Sequence, residues 1–184
     1  MSDGHAIMIG AARLELAQGD IIHQDTEAIV NPANAQLHGG GGVDSAIHHA
    51  GGPSIMDELR TRYPGGCQTG QAVVTSGGHL QAKCVVHAVG PIYTGKPRDA
   101  ELLAGTYRAA LAVCSNQGIQ TVAFPSISTG AYGFPIEQAA PIALTTIVAY
   151  LKAHPEITLV RVVLYDAATY AAYERALAAL PAGR

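Results

Sequence analysis

The chain has 184 residues, with 11 Lys+Arg against 14 Asp+Glu, a net charge of −3 with His neutral, and 48% hydrophobic residues. At roughly 100–200 residues per domain this length suggests one domain, residues 1–184, and so apolar a chain is not a disordered one. The weak acidic balance, with no Lys/Arg cluster, argues against a nucleic acid or other polyanion as partner.

The first five residues, Met1-Ser2-Asp3-Gly4-His5, carry an acid and no basic stretch, so no signal peptide is expected. Runs at 6–9, 14–17 and 28–31 read as strands, and two short helices follow at 43–50 and 55–63. Strands are expected again at 72–76 and 84–89. Leu103, Tyr107, Ala110, Leu111 and Cys114 then recur at spacings of three and four, the stripe of an amphipathic helix that ends before Gly118. Residues 121–125 begin with the continuous apolar run Thr121-Val122-Ala123-Phe124, which suits a strand covered on both faces. Ile136, Ala139, Ala140, Ala143, Ile147 and Leu151 make another helical stripe. Pro141 inside it removes a hydrogen bond, so this helix either starts late or bends. The last strand is expected at 159–164. Tyr170, Tyr173, Leu177 and Leu180 mark a final helix, stopped by Pro181 and Gly183.

Strands alternate with helices in the second half, whereas the first half opens on strands alone. That order points to an α/β fold with a mixed, mostly parallel sheet and helices on both faces. Ligands in such folds bind beyond the carboxyl ends of the strands, where two glycine-rich loops fall. The first follows strand 28–31 and reads Asn31-Pro32-Ala33-Asn34, then Gly39-Gly40-Gly41-Gly42-Val43-Asp44 at the start of a helix. Consecutive glycines let backbone N–H groups approach a ligand, and a helix N-terminus adds free donors and partial positive charge. This combination suits a diphosphate, although four glycines alone also suit a surface turn. The second loop, Ser126-Ile127-Ser128-Thr129-Gly130-Ala131-Tyr132-Gly133-Phe134-Pro135, repeats the strand–loop–helix arrangement. Two such loops could clasp a diphosphate between them, with Tyr132 or Phe134 over a ribose or base. Phosphate held by backbone N–H groups needs few Lys or Arg, which fits the low charge.

Other chemistries find no support. There is no G-x-G-x-x-G, no G-K-[ST], no G-x-S-x-G and no H-E-x-x-H. Cys67, Cys84 and Cys114 are odd in number and form no C-x-x-C, so reduced thiols in a cytoplasmic protein are expected. His48 and His49 are adjacent and would point about 100° apart on a helix, a poor metal pair; no metal and no cofactor are expected. No apolar run approaches the ~20 residues that cross a bilayer.

Gly19-Asp20-Ile21, Ala28-Ile29-Val30-Asn31-Pro32-Ala33-Asn34, the block Gly39 to Asp44, and Ser128 to Pro135 resemble, in order and spacing, the macrodomain family and most closely its MacroD-type hydrolases. The likeness runs from about Ile7 to Leu180. It implies a three-layer α/β/α fold that binds ADP-ribose. It also implies hydrolysis of ADP-ribosyl esters, both mono-ADP-ribosylated Asp/Glu on proteins and O-acetyl-ADP-ribose. Carried over by position, Asp20 would take the adenine amino group with Ile21 beside the ring, and Asn34 would contact the distal ribose. Gly41, Gly42 and Val43 would line the first phosphate loop. Ser128, Thr129, Gly130, Ala131, Tyr132 and Gly133 would form the second. Phe134 would lie near the distal ribose, and Tyr165 would cover the adenine. Asp44 matches the acid this branch uses in hydrolysis. Ser45 stands where glycine is usual after that acid, and His49 where arginine is common.

No Ser-His-Asp or Cys-His arrangement is evident, so direct attack by water is expected, with Asp44 orienting or activating it and Asn34 holding the ribose. The alternative is a module that binds ADP-ribose without cleaving it. The protein is expected to be a monomer. His87, within strand 84–89, reads as a packed core histidine.

Overall fold

A computed structural model describes residues 5–181; residues 1–4 and Gly183, for which a missing signal peptide and a helix stop were expected, lie outside them. Seven strands and five helices follow in the order β1 (Ala6–Ile9), β2 (Ala12–Gln18), β3 (Ala28–Ala33), α1 (Gly42–Gly51), α2 (Pro53–Arg62), β4 (Ala72–Ser76), β5 (Cys84–Val89), α3 (Arg98–Asn116), β6 (Thr121–Phe124), α4 (Ile136–Ala153), β7 (Leu159–Leu164) and α5 (Ala167–Ala178). A short 3-10 turn at Ile21–His23 lies between β2 and β3. Every expected strand and helix is present: β1, β4, β5 and β7 have the expected bounds, and the ends of the others move by a few residues. The sheet order is β1-β2-β7-β6-β3-β5-β4, antiparallel at the two edges and parallel between them.

Alternation along the strands sorts the core into two layers. Ile29, Val85, Ala123 and Val163 face α1 and α2, where they pack with Ile47, Ile55 and Leu59. Val30, Val86, Val122, Phe124, Val160 and Val162 face the opposite way, against Leu103, Tyr107, Leu111, Ala143, Ile147 and Tyr173 of α3, α4 and α5. The result is the expected three-layer α/β/α sandwich with a mixed, mostly parallel sheet.

α4 begins at Ile136 and continues through Pro141, so the late start is not what happens. Pro141 and Glu137 both lie on the exposed side. The Glu137 carbonyl that loses its partner therefore faces water, which lowers the cost of the missing bond.

Two features open the sheet where the glycine loops leave it. β3 pairs with β6 only at Ala28–Val122 and Ile29–Ala123, while its pairing with β5 continues to Ala33–Val89. Beyond Ile29 one side of β3 is thus a free edge, which is why the strand can run on through Pro32, a residue without an N–H to give to a ladder. The two loops diverge from neighbouring strands and face each other across the gap.

Candidate active site

The first loop is folded by Asn34. Its Oδ1 accepts from His38 N at 3.2 Å, its Nδ2 donates to Gly39 O at 2.9 Å, and its carbonyl accepts from Leu37 N at 3.0 Å. These bonds turn the chain so that the glycines lead into α1, whose N-cap, Gly41, has no side-chain cap. The first N–H groups of α1 therefore remain available as donors.

The second loop is closed by Phe134 N donating to Ser128 O at 2.9 Å and Gly133 N donating to Gly130 O at 3.0 Å. It is supported from behind by two tyrosines that the sequence reading placed only in helix stripes. Tyr107 Oη on α3 accepts from Ile127 N at 3.0 Å and lies 3.3 Å from Pro125 O, to which it donates. Tyr173 Oη on α5 lies 2.9 Å from Ser126 Oγ. Burial pushes the pKa of both phenols up, so both stay neutral donors.

Between the loops lies a cavity of about 440 Å³. Its walls bring together Asn34, Gly41, Gly42, Val43 and Asp44 from the first loop and Ser128, Gly130, Ala131 and Tyr132 from the second. Gly40, Ser126 and Ile127 of the same loops line it too, as do Pro32, Ala33 and Gly90, of which Gly90 lies outside both glycine loops. Ser45 instead lines an adjoining cleft of about 410 Å³ with His38, His48, His49 and Met56, and this cleft meets the cavity at Gly40 and Asp44.

Asp44 is 6% exposed. Its Oδ1 accepts from Asn31 Nδ2 at 2.7 Å, with His48 Nε2 3.5 Å away. Its Oδ2 is buried and has no hydrogen-bond partner within the protein. A Cβ on Gly40 would lie 3.6 Å from this oxygen and 3.9 Å from Asn34 Nδ2, so the glycine keeps the space beside both polar groups clear. A buried carboxylate oxygen left without a partner costs free energy, which a hydrogen bond from a ligand or water would recover.

The remaining expected residues lie around this centre. Asp20 lies two residues beyond β2 and caps the 3-10 turn, its Oδ1 accepting from Ile22 N at 3.1 Å. Gly19 N donates to Leu164 O at 3.0 Å, which brings Asp20 beside the end of β7. Tyr165 follows β7 and is 77% exposed, while Ile21 is buried. Thr129 bonds the oxygens of Ser126 and so stiffens the second loop. Phe134 is 2% exposed and packs on Tyr93, ring centres 5.0 Å apart, so the aromatic ring exposed in the cavity wall is Tyr132. Among the described residues no group of three or more His, Cys, Asp or Glu is placed to hold a metal ion. No described helix is long and apolar enough to cross a membrane.

A family model described as Macro domain matches residues 30–143. The chain belongs to the macrodomain family. A macro domain-containing protein of Caldanaerobacter subterraneus is 49% identical over 167 residues, covering 89% of this chain and 95% of that protein. A protein of Cronobacter sakazakii named O-acetyl-ADP-ribose deacetylase is 45% identical over 170 residues, covering 91% and 94%. Among solved structures, the Oceanobacillus iheyensis macrodomain with ADP superposes with a TM-score of 0.90 at 42% identity, covering 95% of each chain. The Trypanosoma brucei macrodomain in complex with ADP-ribose gives 0.84 at 34% identity, covering 89% of this chain and 68% of that one. This macrodomain therefore carries its two glycine loops on a framework shared with relatives that hold adenine nucleotides.

Proposed function

We propose that this macrodomain binds ADP-ribose in the cavity between its two loops and hydrolyses ADP-ribosyl esters. The substrates would be mono-ADP-ribosylated Asp or Glu on proteins and O-acetyl-ADP-ribose. The observation that carries this reading is the buried Asp44 carboxylate, with one oxygen tied to Asn31 and the other left free beside Gly40 at the junction of cavity and cleft. The N-terminus of α1 and the backbone of the second loop suit a diphosphate. Asp20 and the exposed Tyr165, which follow the neighbouring strands β2 and β7, suit an adenine, and Asn34 suits the distal ribose.

In the reaction a water oxygen bonds to the acyl carbon and the bond from that carbon to the ribose oxygen breaks. The ribose oxygen gains a proton, so that ADP-ribose and a carboxylic acid leave. Asp44 Oδ2 accepts a hydrogen bond from the attacking water and orients it. The relative named O-acetyl-ADP-ribose deacetylase supports this assignment. Structures of the Oceanobacillus protein include an Asn→Ala and an Asp→Ala variant whose sites are ten residues apart, the interval between Asn34 and Asp44 here.

The test is Asp44→Ala. It should abolish release of ADP-ribose from aspartyl- or glutamyl-linked substrate and from O-acetyl-ADP-ribose while ADP-ribose still binds. Undiminished turnover would remove Asp44 from the mechanism. No release by the wild type over hours would make the protein a module that reads ADP-ribose without cleaving it.

A further inference from the structure

Behind Asp44 runs a line of buried polar side chains on the sheet face that also carries Ile29, Val85, Ala123 and Val163. Asn31 on β3 and His87 on β5 are direct partners in the sheet register, and both are fully buried. Thr75 on β4 is 2% exposed. All three lie on the face covered by α1, which carries Asp44 and His48.

The hydrogens in this line can be assigned one by one. Thr75 Oγ1 donates its only hydrogen to Ser76 O at 3.0 Å. The 2.9 Å contact between Thr75 Oγ1 and His87 Nε2 is then donated by the imidazole, the same tautomer that the Asp44 end of the line requires, because the Asn31 amide nitrogen held by the carboxylate turns its other hydrogen to Nδ1. A neutral imidazole with its hydrogen on Nε2 has a bare lone pair on Nδ1. That atom lies 3.0 Å from Asn31 Nδ2, which donates one hydrogen to it and the other to Asp44 Oδ1 at 2.7 Å. If the Asn31 amide were flipped, its oxygen would face the Nδ1 lone pair on one side and the carboxylate on the other, two repulsive contacts in a dry environment. Burial, with a smaller contribution from His48, holds the His87 pKa down at about 3, so the ring keeps its lone pair at neutral pH.

We infer that His87 is a positioning residue for the ester hydrolysis proposed above: its Nδ1 lone pair locks the Asn31 amide, which fixes the Asp44 carboxylate with Oδ2 toward the glycine loop. His87 itself touches no substrate. It acts through Asn31 on the direction of one carboxylate oxygen, and a small misalignment of such a group lowers rate far more than binding. The inference rests on the hydrolase reading.

Three variants and one spectrum test it. His87→Phe keeps the ring volume but removes the lone pair. His87→Asn keeps an acceptor near the Nδ1 position, and His87→Gln keeps a polar group near Nε2 instead. With O-acetyl-ADP-ribose as substrate, His87→Phe should lose at least about tenfold in kcat, with KM and the Kd for ADP-ribose within about threefold of wild type. His87→Asn should recover most of the lost kcat and His87→Gln should not, a contrast that remains readable if His87→Phe fails to fold. In the wild type, 15N NMR of the imidazole should show the neutral Nε2–H tautomer across pH 5 to 8. An Nδ1–H or protonated ring, equal losses in the Asn and Gln variants, or a Phe variant within about twofold of wild type overturns the positioning role. Wild-type protein that turns over no ester overturns the hydrolase reading and this role with it, whereas normal wild-type turnover with indifferent His87 variants overturns this role alone.

Discussion

Gly90 lies so close to Ser128 that a methyl group on it would sit 2.3 Å from the Ser128 hydroxyl and 2.6 Å from Ile127 Cγ2. Gly90 directly follows β5 and Ser128 lies in the turn of the second loop, so this contact ties the loop to the end of β5 at the cavity wall. Ser128 also has a left-handed backbone, φ 67°, unusual for a residue with a side chain. The loop keeps this conformation because Phe134 N binds its carbonyl and because position 90 has no Cβ in the way. Gly90→Ala should therefore force the second loop outward. We expect a loss of about 1–3 kcal/mol in urea unfolding, together with an ADP-ribose affinity at least several-fold weaker by calorimetry. A variant that loses stability but binds ADP-ribose normally would show that the loop does not shape the site.

The support behind that loop gives a second prediction. Tyr107 Oη serves Ile127 N and Pro125 O at once, and both backbone groups are buried. Tyr107→Phe leaves them without a partner, which should cost about 1–3 kcal/mol. Because the orphaned groups lie in the loop, ADP-ribose binding should weaken as well. A Leu111→Ala change on the same helix stripe, which makes no loop hydrogen bond, should destabilise without that effect. Equal losses of affinity in the two variants would contradict a specific role for the phenol.

Much of this architecture was legible in the chain, and the rest was hidden for definite reasons. The inner strands β3, β5, β6 and β7 are short apolar runs buried on both faces over most of their length, and the helices carry wide apolar stripes, so local pattern and tertiary environment agree. β3 starts at Ala28 as expected but runs on to Ala33 instead of stopping at Asn31: Pro32 argues against a strand, and the parting of β6 from β3 permits it. The 3-10 turn at Ile21–His23 is too short to carry a period. Asn34 and Asp44 stand out because one run of eleven residues holds both of them and the glycines. The Thr75–His87–Asn31 line was not, since its members are 12 and 56 residues apart and meet only through sheet register. His87 alone looks like any core histidine. Tyr107 and Tyr173 fit their helix stripes so well that nothing in the pattern marks their hydroxyls as loop supports.

Arg161 supplies a prediction remote from the site. It sits opposite Glu15 in the β2–β7 register and also reaches Asp25 and Gln24. Burial raises the Glu15 pKa, but hydrogen bonds and charge from Arg13 and Arg161 outweigh it and the net shift is downward. Asp25 is lowered by its hydrogen bond to Arg161 and the guanidinium charge. Carboxylates with lowered folded pKa values stabilise the fold above their unfolded values, near 4, and lose that contribution as pH falls through the folded values. Arg161→Met should therefore cost about 1 kcal/mol at pH 7, the upper end for exposed pairs. The difference from wild type should shrink below about pH 4. Urea unfolding at pH 7, 5 and 3.5 measures it, and a difference independent of pH would assign the loss to packing of the arginine stem instead.

His87 gives stability a pH dependence of the opposite origin. Its folded pKa is about 3 against an ordinary 6.5, with burial as the main cause, His48 adding to it and Glu58 opposing it. Above pH 6.5 the ring is neutral in both states and contributes no slope. Between pH 6.5 and about 3 the unfolded chain takes up a proton that the folded protein refuses. Stability should therefore fall by about 1.4 kcal/mol per pH unit from this group as the solution is acidified. His87→Phe removes the titrating ring, so its unfolding free energy should decline less steeply than that of wild type between pH 6 and 4.5, above the range where most carboxylates titrate. Urea unfolding of both proteins at half-unit steps across that window measures the two slopes. Parallel slopes would mean that His87 accepts a proton in the folded state, and with it that the Nδ1 lone pair is not reserved for Asn31.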